Sequence, residues 1–219
     1  MTLTPRETGL GFGLLALYLA ASLLLPESFL LSLLGCGAAL FLLRRFLWES
    51  VHIPLMPLRG ILWKAALAAA AAQLFNTLMN DLFWPFFPEY FLYGETGPAF
   101  FNVQKVALAA AAGESFLPAF LRAALLVPVA EELLYRGVLF DTLHNKWGWP
   151  AYLVTALLYA LAATAPLIGS YPTDFVILHF LQTLPLSLIF GWVYTSSDTI
   201  LTPLLAHIVL NAVSVLPMR

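Results

Sequence analysis

The chain has 219 residues, of which 61% are hydrophobic and 10% charged, against about 25% charged in a soluble domain. That composition excludes a soluble globular protein, and a net charge of −2 excludes a nucleic-acid partner held by a basic surface. The apolar stretches are Leu/Ala runs near or beyond the ~20 residues a helix needs to cross the hydrocarbon core, without the roughly ten-residue alternation of a membrane β-barrel.

The sequence therefore reads as an all-α, polytopic transmembrane helical bundle lying in a lipid bilayer. Helices are predicted over about 8–25, 28–48, 60–82, 116–143, 148–166, 174–195 and 199–217, which makes seven spans. The first, preceded by Arg6, superficially resembles a secretory signal. It is read as a retained helix, because no small-x-small site precedes the next apolar run and "PES" at 26–28 reads as a turn between spans. The Pro- and aromatic-rich stretch 83–115 is read as interfacial, with "FFNVQKVALAAAA" as a short or re-entrant helix and an eighth span if it crosses. The chain divides into N-terminal helices and an interfacial segment, 1–115, and a polar-cored part, 116–217. No repeat, low-complexity linker or second soluble domain is visible. Cys36, the one cysteine, is expected to be a buried packing residue.

Arg44, Arg45, Arg59 and Lys64 flank the second predicted loop, whereas the first carries only Glu27. Positive residues favour the cytoplasmic side, so this loop and the N-terminus are expected there. Lys146 in "HNKWGW" agrees in the seven-span arrangement and leaves "GSYPTD" outside; Lys105 and Arg122 fit less well.

An ionisable group at mid-bilayer costs about 2.5–3.5 kcal/mol on insertion scales, so each is read as paired or functional. Inside predicted spans these polar groups are Asn76, Asn80 and Asp81; Glu131, Glu132 and Arg136; His179 and Gln182; and His207 and Asn211. The first three lie near a helix end and read as capping or interface groups. Asp141 and His144 read as a solvated helix end. In "EELLYRG", Glu132 and Arg136 are four apart in the favourable order for an ion pair. Glu131 points about 100° away round the helix with no local cation, and suits proton exchange. His207 and Asn211, also four apart, share a face. Each pair also has a packing reading, as a helix-pinning ion pair or as interhelical hydrogen-bonding glue.

"EELLYRG" followed some 70 residues later by "HIVLN" resembles the CPBP family of glutamate-type intramembrane proteases, which includes CAAX prenyl-protein endopeptidases and bacteriocin self-immunity proteins. The family pattern is EExxxR on one membrane helix, FxxxH on the next, and HxxxN or HxxxD on a later one, and the resemblance covers about 116–217. It implies a conical or cleft-like polar interior site. Glu131 would be the general base that activates water, Glu132 and Arg136 the supporting pair, and His207 with Asn211 the groups that position substrate or stabilise the oxyanion. The implied substrate is a membrane-embedded or lipidated peptide or protein, cut at a leader, a CAAX-like end or a C-terminal sorting tail. The implied location is a bacterial or archaeal inner membrane. No cofactor is expected. A zinc site is read against, since HExxH is missing and Arg136 places a cation beside the glutamates.

The middle motif departs from the pattern. In "TALLYALAATAP", Tyr159 stands where the family has Phe and Ala163 where it has His. Three readings fit: a natural inactive relative, a substitute such as Thr164 or, weakly, His179, or a deliberate His→Ala exchange. The last is preferred because the surroundings match an active member. The rival class is a catalytically dead membrane scaffold or immunity protein, or a polar-lined transporter. No inverted repeat of broken helices supports a transporter.

Overall fold

The computed structural model describes residues 3–24, 28–52, 56–83, 115–169 and 173–215, and all regular structure among them is helical. Helix α1, Pro5–Leu24, starts with Pro in its first turn and a reciprocal cap. Thr4 Oγ1 accepts the Glu7 N–H at 3.2 Å, and Glu7 Oε2 accepts the Thr4 N–H at 2.8 Å, which satisfies two backbone donors at once. Helix α2, Phe29–Leu42, is capped by Ser28, whose side chain accepts the Leu31 N–H at 3.3 Å.

The predicted single span over 28–48 is two helices. The chain bends by 69° between α2 and α3, Arg44–His52. The cause lies in the residues that follow: Arg44, Arg45 and Glu49 cannot continue into hydrocarbon, whereas Phe46 and Ser50 on the other face are buried. A helix charged on one side and apolar on the other turns to lie along the core. Arg45 holds it there, donating from Nη2 and Nε to the two carboxylate oxygens of Glu7 at 2.6 and 3.0 Å and from Nη1 to Glu49 at 2.9 Å.

Helix α4, Leu58–Phe83, carries a buried stripe of Ala65, Ala68, Ala69 and Ala72 that packs on Phe190, Val193, Ala206 and Leu210. In lipid, where apolar side chains gain little by leaving their surroundings, small residues let helix backbones approach closely and bring dispersion contacts. Lys64 donates to the Ser196 carbonyl near the far end of the helix it faces.

Helix α5 runs over 116–147 with two stretches of π geometry, Arg122–Leu126 and Glu132–Phe140, in place of the regular helix expected over 116–143. Gly148 ends it at φ +69°, ψ −132°, a conformation open to glycine. Helix α6, Pro150–Thr164, continues into a 3₁₀ turn at Ala165–Leu167. Helix α7, Thr173–Ser197, contains Pro185, and α8 spans Leu201–Val215.

One core cluster joins residues from both ends of the chain, Leu15, Cys36, Leu43 and Phe46 packing with Leu133, Val138, Tyr159 and Tyr194. The first helix is part of this bundle: a methyl on Gly11 would meet Val138 Cγ2 at 2.7 Å, so α1 touches α5 at a point that admits no side chain. Among the described residues four helices are long and apolar enough to cross a membrane, or five if the bent α2–α3 pair is one span. The seven or eight expected are not reached on length and composition. Helix α2 has 14 residues and α8 has 15, α5 is interrupted by its π stretches, and the segment proposed as the eighth span lies outside the described residues, as does Lys105.

Candidate active site

The site is built where α5 changes geometry. Val127–Glu131 is α-helical and the π stretch starts at Glu132, so the glutamate doublet straddles the junction. Such wide turns inside helices occur often at functional sites. The upstream stretch leaves one carbonyl without a backbone partner. In it the Val127 N–H bonds the Arg122 carbonyl, five residues back. In that register the Ala123 carbonyl would need the N–H of residue 128, which is proline and has none. The carboxamide of Asn211 on α8 takes its place, Nδ2 donating to the Ala123 oxygen at 2.9 Å. Asn211 therefore anchors α8 to α5 at a carbonyl that the local sequence of α5 leaves open.

The two glutamates have different surroundings. Glu132 is fully buried, and its Oε1 accepts from His207 Nδ1 at 2.8 Å while standing 3.2 Å from Arg136 Nη1. The expected Glu132–Arg136 pair is present, with an imidazole added to it. With Nδ1 held by the carboxylate, the His207 ring has Nε2 to offer a ligand. Arg136, itself fully buried, reaches α7 through Nη2, which donates to Ser187 Oγ at 3.0 Å and lies 3.4 Å from the Ser187 carbonyl. Its guanidinium also sits over the rings of Tyr159 and Phe190, at 4.7 and 5.5 Å from their centroids, within the range of cation–π attraction.

Glu131 is partly exposed, whereas positions 128–130 and 132–141 are all buried. Its Oε2 accepts from the phenol of Tyr159 on α6 at 2.8 Å. The doublet thus consists of one carboxylate compensated inside the core and one held at the edge of it.

The remaining candidates fall into place around this pair. Ala163 is one turn beyond Tyr159 on the same face of α6 and is partly exposed. Thr164 does not turn towards the glutamates: its hydroxyl donates to the carbonyls of Ala160 and Leu161 at 2.8 and 3.2 Å. The contact of Tyr152 with Thr195, 2.6 Å between their hydroxyl oxygens, sets α6 and α7 antiparallel and puts His179 beyond the level of Ala163, towards the turn between the helices. Gln182 on α7 and Asn76 on α4 are buried, Asp81 is exposed, and the Asn80 side chain is outside the described part. Arg122 is buried in the first π stretch.

Asp141 and His144 correct the expectation of a solvated helix end. Asp141 is buried and accepts from Tyr194 at 3.0 Å and from Asn145 at 3.2 Å. His144 lies between Phe140 and Tyr152, at 5.2 and 5.6 Å. Together they fasten the end of α5 to α6 and α7.

Two residues of the site went unassigned in the sequence. Tyr159 was visible as an aromatic, and its hydroxyl was a signal in itself, because a buried phenol requires a partner. Ser187 carried no local signal, since its partner is 51 positions away. Among the described residues no group of three or more His, Cys, Asp or Glu side chains is placed to hold a metal ion.

Comparison with known proteins places these residues in context. No curated protein and no solved structure matches the chain. The family model described as type II CAAX prenyl endopeptidase Rce1-like matches residues 113–213, a segment that contains Glu131, Glu132, Arg136, Tyr159, His207 and Asn211. Several apolar helices together with this match make the protein an integral membrane protein. The part of the chain that carries the glutamate doublet and His207 is thus similar to the Rce1-like CAAX proteases, in agreement with the resemblance read from its motifs.

Proposed function

We propose that the chain is an intramembrane endopeptidase of glutamate type that hydrolyses a peptide bond in a membrane-embedded or lipidated peptide. Its catalytic part is 116–217, and 1–115 supports it. Glu131 is the general base: it takes a proton from water, the hydroxide oxygen attacks the scissile carbonyl carbon, and the proton passes to the leaving nitrogen as the C–N bond breaks. Glu132 and Arg136 are the fixed ion pair beneath it. His207, whose Nδ1–H is bound to Glu132, presents the Nε2 lone pair to a substrate N–H and so positions the substrate, and Asn211 keeps α8 in position. Seven helices, α1, α2 and α4 to α8, cross the bilayer, with the N-terminus on the cytoplasmic side.

The observation that carries this reading is the asymmetry of the doublet. A fully buried Glu132, compensated by Arg136 and His207, adjoins a partly exposed Glu131 that has a hydrogen-bond donor and, among the described residues, no ion-pair partner. Glu132 is closed off from solvent, whereas Glu131, held at the edge of the core by one neutral donor, can meet water.

The test uses purified protein in liposomes with a fluorogenic farnesylated CAAX peptide, and the same peptide without lipid. The A163H variant, which restores the family pattern at that position, is expected to cleave the lipidated peptide, and E131Q in that background to abolish cleavage. Undiminished cleavage by the E131Q form would remove Glu131 from the role of base. Binding of the peptide without cleavage by A163H would identify a scaffold.

A further inference from the structure

Helix α6 departs from the family pattern at two positions one turn apart, Tyr159 for Phe and Ala163 for His. The two changes concern the same spot. The hydroxyl that Tyr adds to Phe is the atom that donates to Glu131 Oε2 at 2.8 Å, and the imidazole missing at 163 would project from the same face of the helix. From this geometry we infer that Tyr159 is a positioning residue that holds the Glu131 carboxylate in the absence of a histidine at 163, so that the chain with Ala163 is an active hydrolase. The inference rests on the reading of Glu131 as the base.

The phenol is held as a positioning group must be. Its residue is 5% exposed. The Arg136 guanidinium lies over its ring at 4.7 Å, and Tyr135 packs edge-on against it at 4.9 Å with an interplanar angle of 87°. Both contacts involve the ring alone and would be equally available to Phe. Neither accounts for the hydroxyl, which would be an expensive polar atom inside a membrane bundle without a use. Its use is the bond to Oε2, which restricts rotation of the carboxylate and leaves Oε1 as the oxygen that accepts the proton from water. Tyr159 keeps its own proton throughout; the proton taken by Oε1 is the one delivered to the leaving nitrogen. Of the other candidates, Thr164 is committed to its own helix and His207 Nδ1 to Glu132.

Four forms decide the matter in the liposome assay with the farnesylated peptide: the chain as it stands, Y159F, A163H, and the double variant Y159F/A163H, which restores the family's FxxxH. The chain as it stands is expected to cleave. In Y159F, kcat should fall about 10- to 100-fold with KM within about twofold, the loss expected for one hydrogen bond to a charged group in the transition state. The double variant should regain that loss, which a merely structural role of the hydroxyl would not allow. Thermal unfolding of Y159F, whose ring keeps its contacts, checks that the fold is intact. Cleavage by A163H but not by the unchanged chain, or equal kcat for the unchanged chain and Y159F, overturns the inference and leaves the proposed function standing. Absence of cleavage in all four forms, A163H included, refutes the proposed function and the inference with it.

Discussion

His207 and Glu132, 75 positions apart, meet through a hydrogen bond of 2.8 Å from Nδ1 to Oε1, on the same carboxylate oxygen that faces Arg136. Helix α8 is therefore tied to the inner glutamate of the doublet, and the outer one is left to α6. The two attachments to Glu132 are unequal. Replacing Arg136 by Ala leaves a buried carboxylate without its charge partner and should destabilise by about 3–5 kcal/mol. His207→Ala removes one hydrogen bond and should cost about 1–3 kcal/mol. Thermal or denaturant unfolding in detergent micelles ranks the two, and the reverse order would show that the imidazole, not the guanidinium, compensates Glu132.

Pro128 and Asn211 form a second linked pair through the Ala123 carbonyl. Asn211→Leu should lower stability by about 1–3 kcal/mol by leaving that oxygen unmatched. Pro128→Ala supplies an N–H in the right register, so in the Asn211→Leu background it should restore part of the loss. A double-mutant cycle measures the coupling; strictly additive effects would show that Pro128 does not open the Ala123 carbonyl to Asn211.

Ser187 fixes the far side of Arg136. Ser187→Ala is expected to destabilise by about 1.5–3 kcal/mol, the range for a hydrogen bond to a charged group, and Ser187→Thr to retain most of it. Equal unfolding midpoints for Ser187→Ala and the unchanged chain would place the anchoring in the Ser187 carbonyl and the Tyr159 and Phe190 rings.

Gly11 tests whether α1 belongs to the bundle. A side chain there meets Val138, whereas one at Gly13 meets nothing within 4 Å. Gly11→Leu should therefore destabilise by about 1–3 kcal/mol through overpacking and Gly13→Leu should be close to neutral. Matched effects at the two positions would detach α1 from α5.

What could be read from the chain beforehand followed the reach of each interaction. The Glu132–Arg136 pair was legible because its partners lie four apart on one helix, and the helices themselves because composition and length govern membrane spans. The bend after Leu42 was hidden inside an apolar run; only the division of Arg44–His52 into a charged and a buried face accounts for it. The π stretches escaped because a one-residue widening of a helix leaves no periodic trace over so few turns. Asp141 looked like a helix-end residue until Tyr194, 53 positions on, was seen to bond it. Tyr159 served only to align an aromatic, since its hydroxyl gains meaning when α6 is laid beside Glu131.

The shortness of α2 has an effect on the surroundings. Bounded by the Ser28 cap and the bend after Leu42, its 14 residues measure about 21 Å, against ~30 Å for the hydrocarbon core. In the seven-span arrangement proposed above, lipids beside this helix are longer than the wall they line, and they adapt by tilting or compressing at a modest cost per ångström. That arrangement would give the protein its own dimple in the bilayer, a place where headgroups and water come nearer to mid-depth. Its preference should be for thin membranes, and acyl chain length becomes a control on how easily water approaches the interior carboxylates.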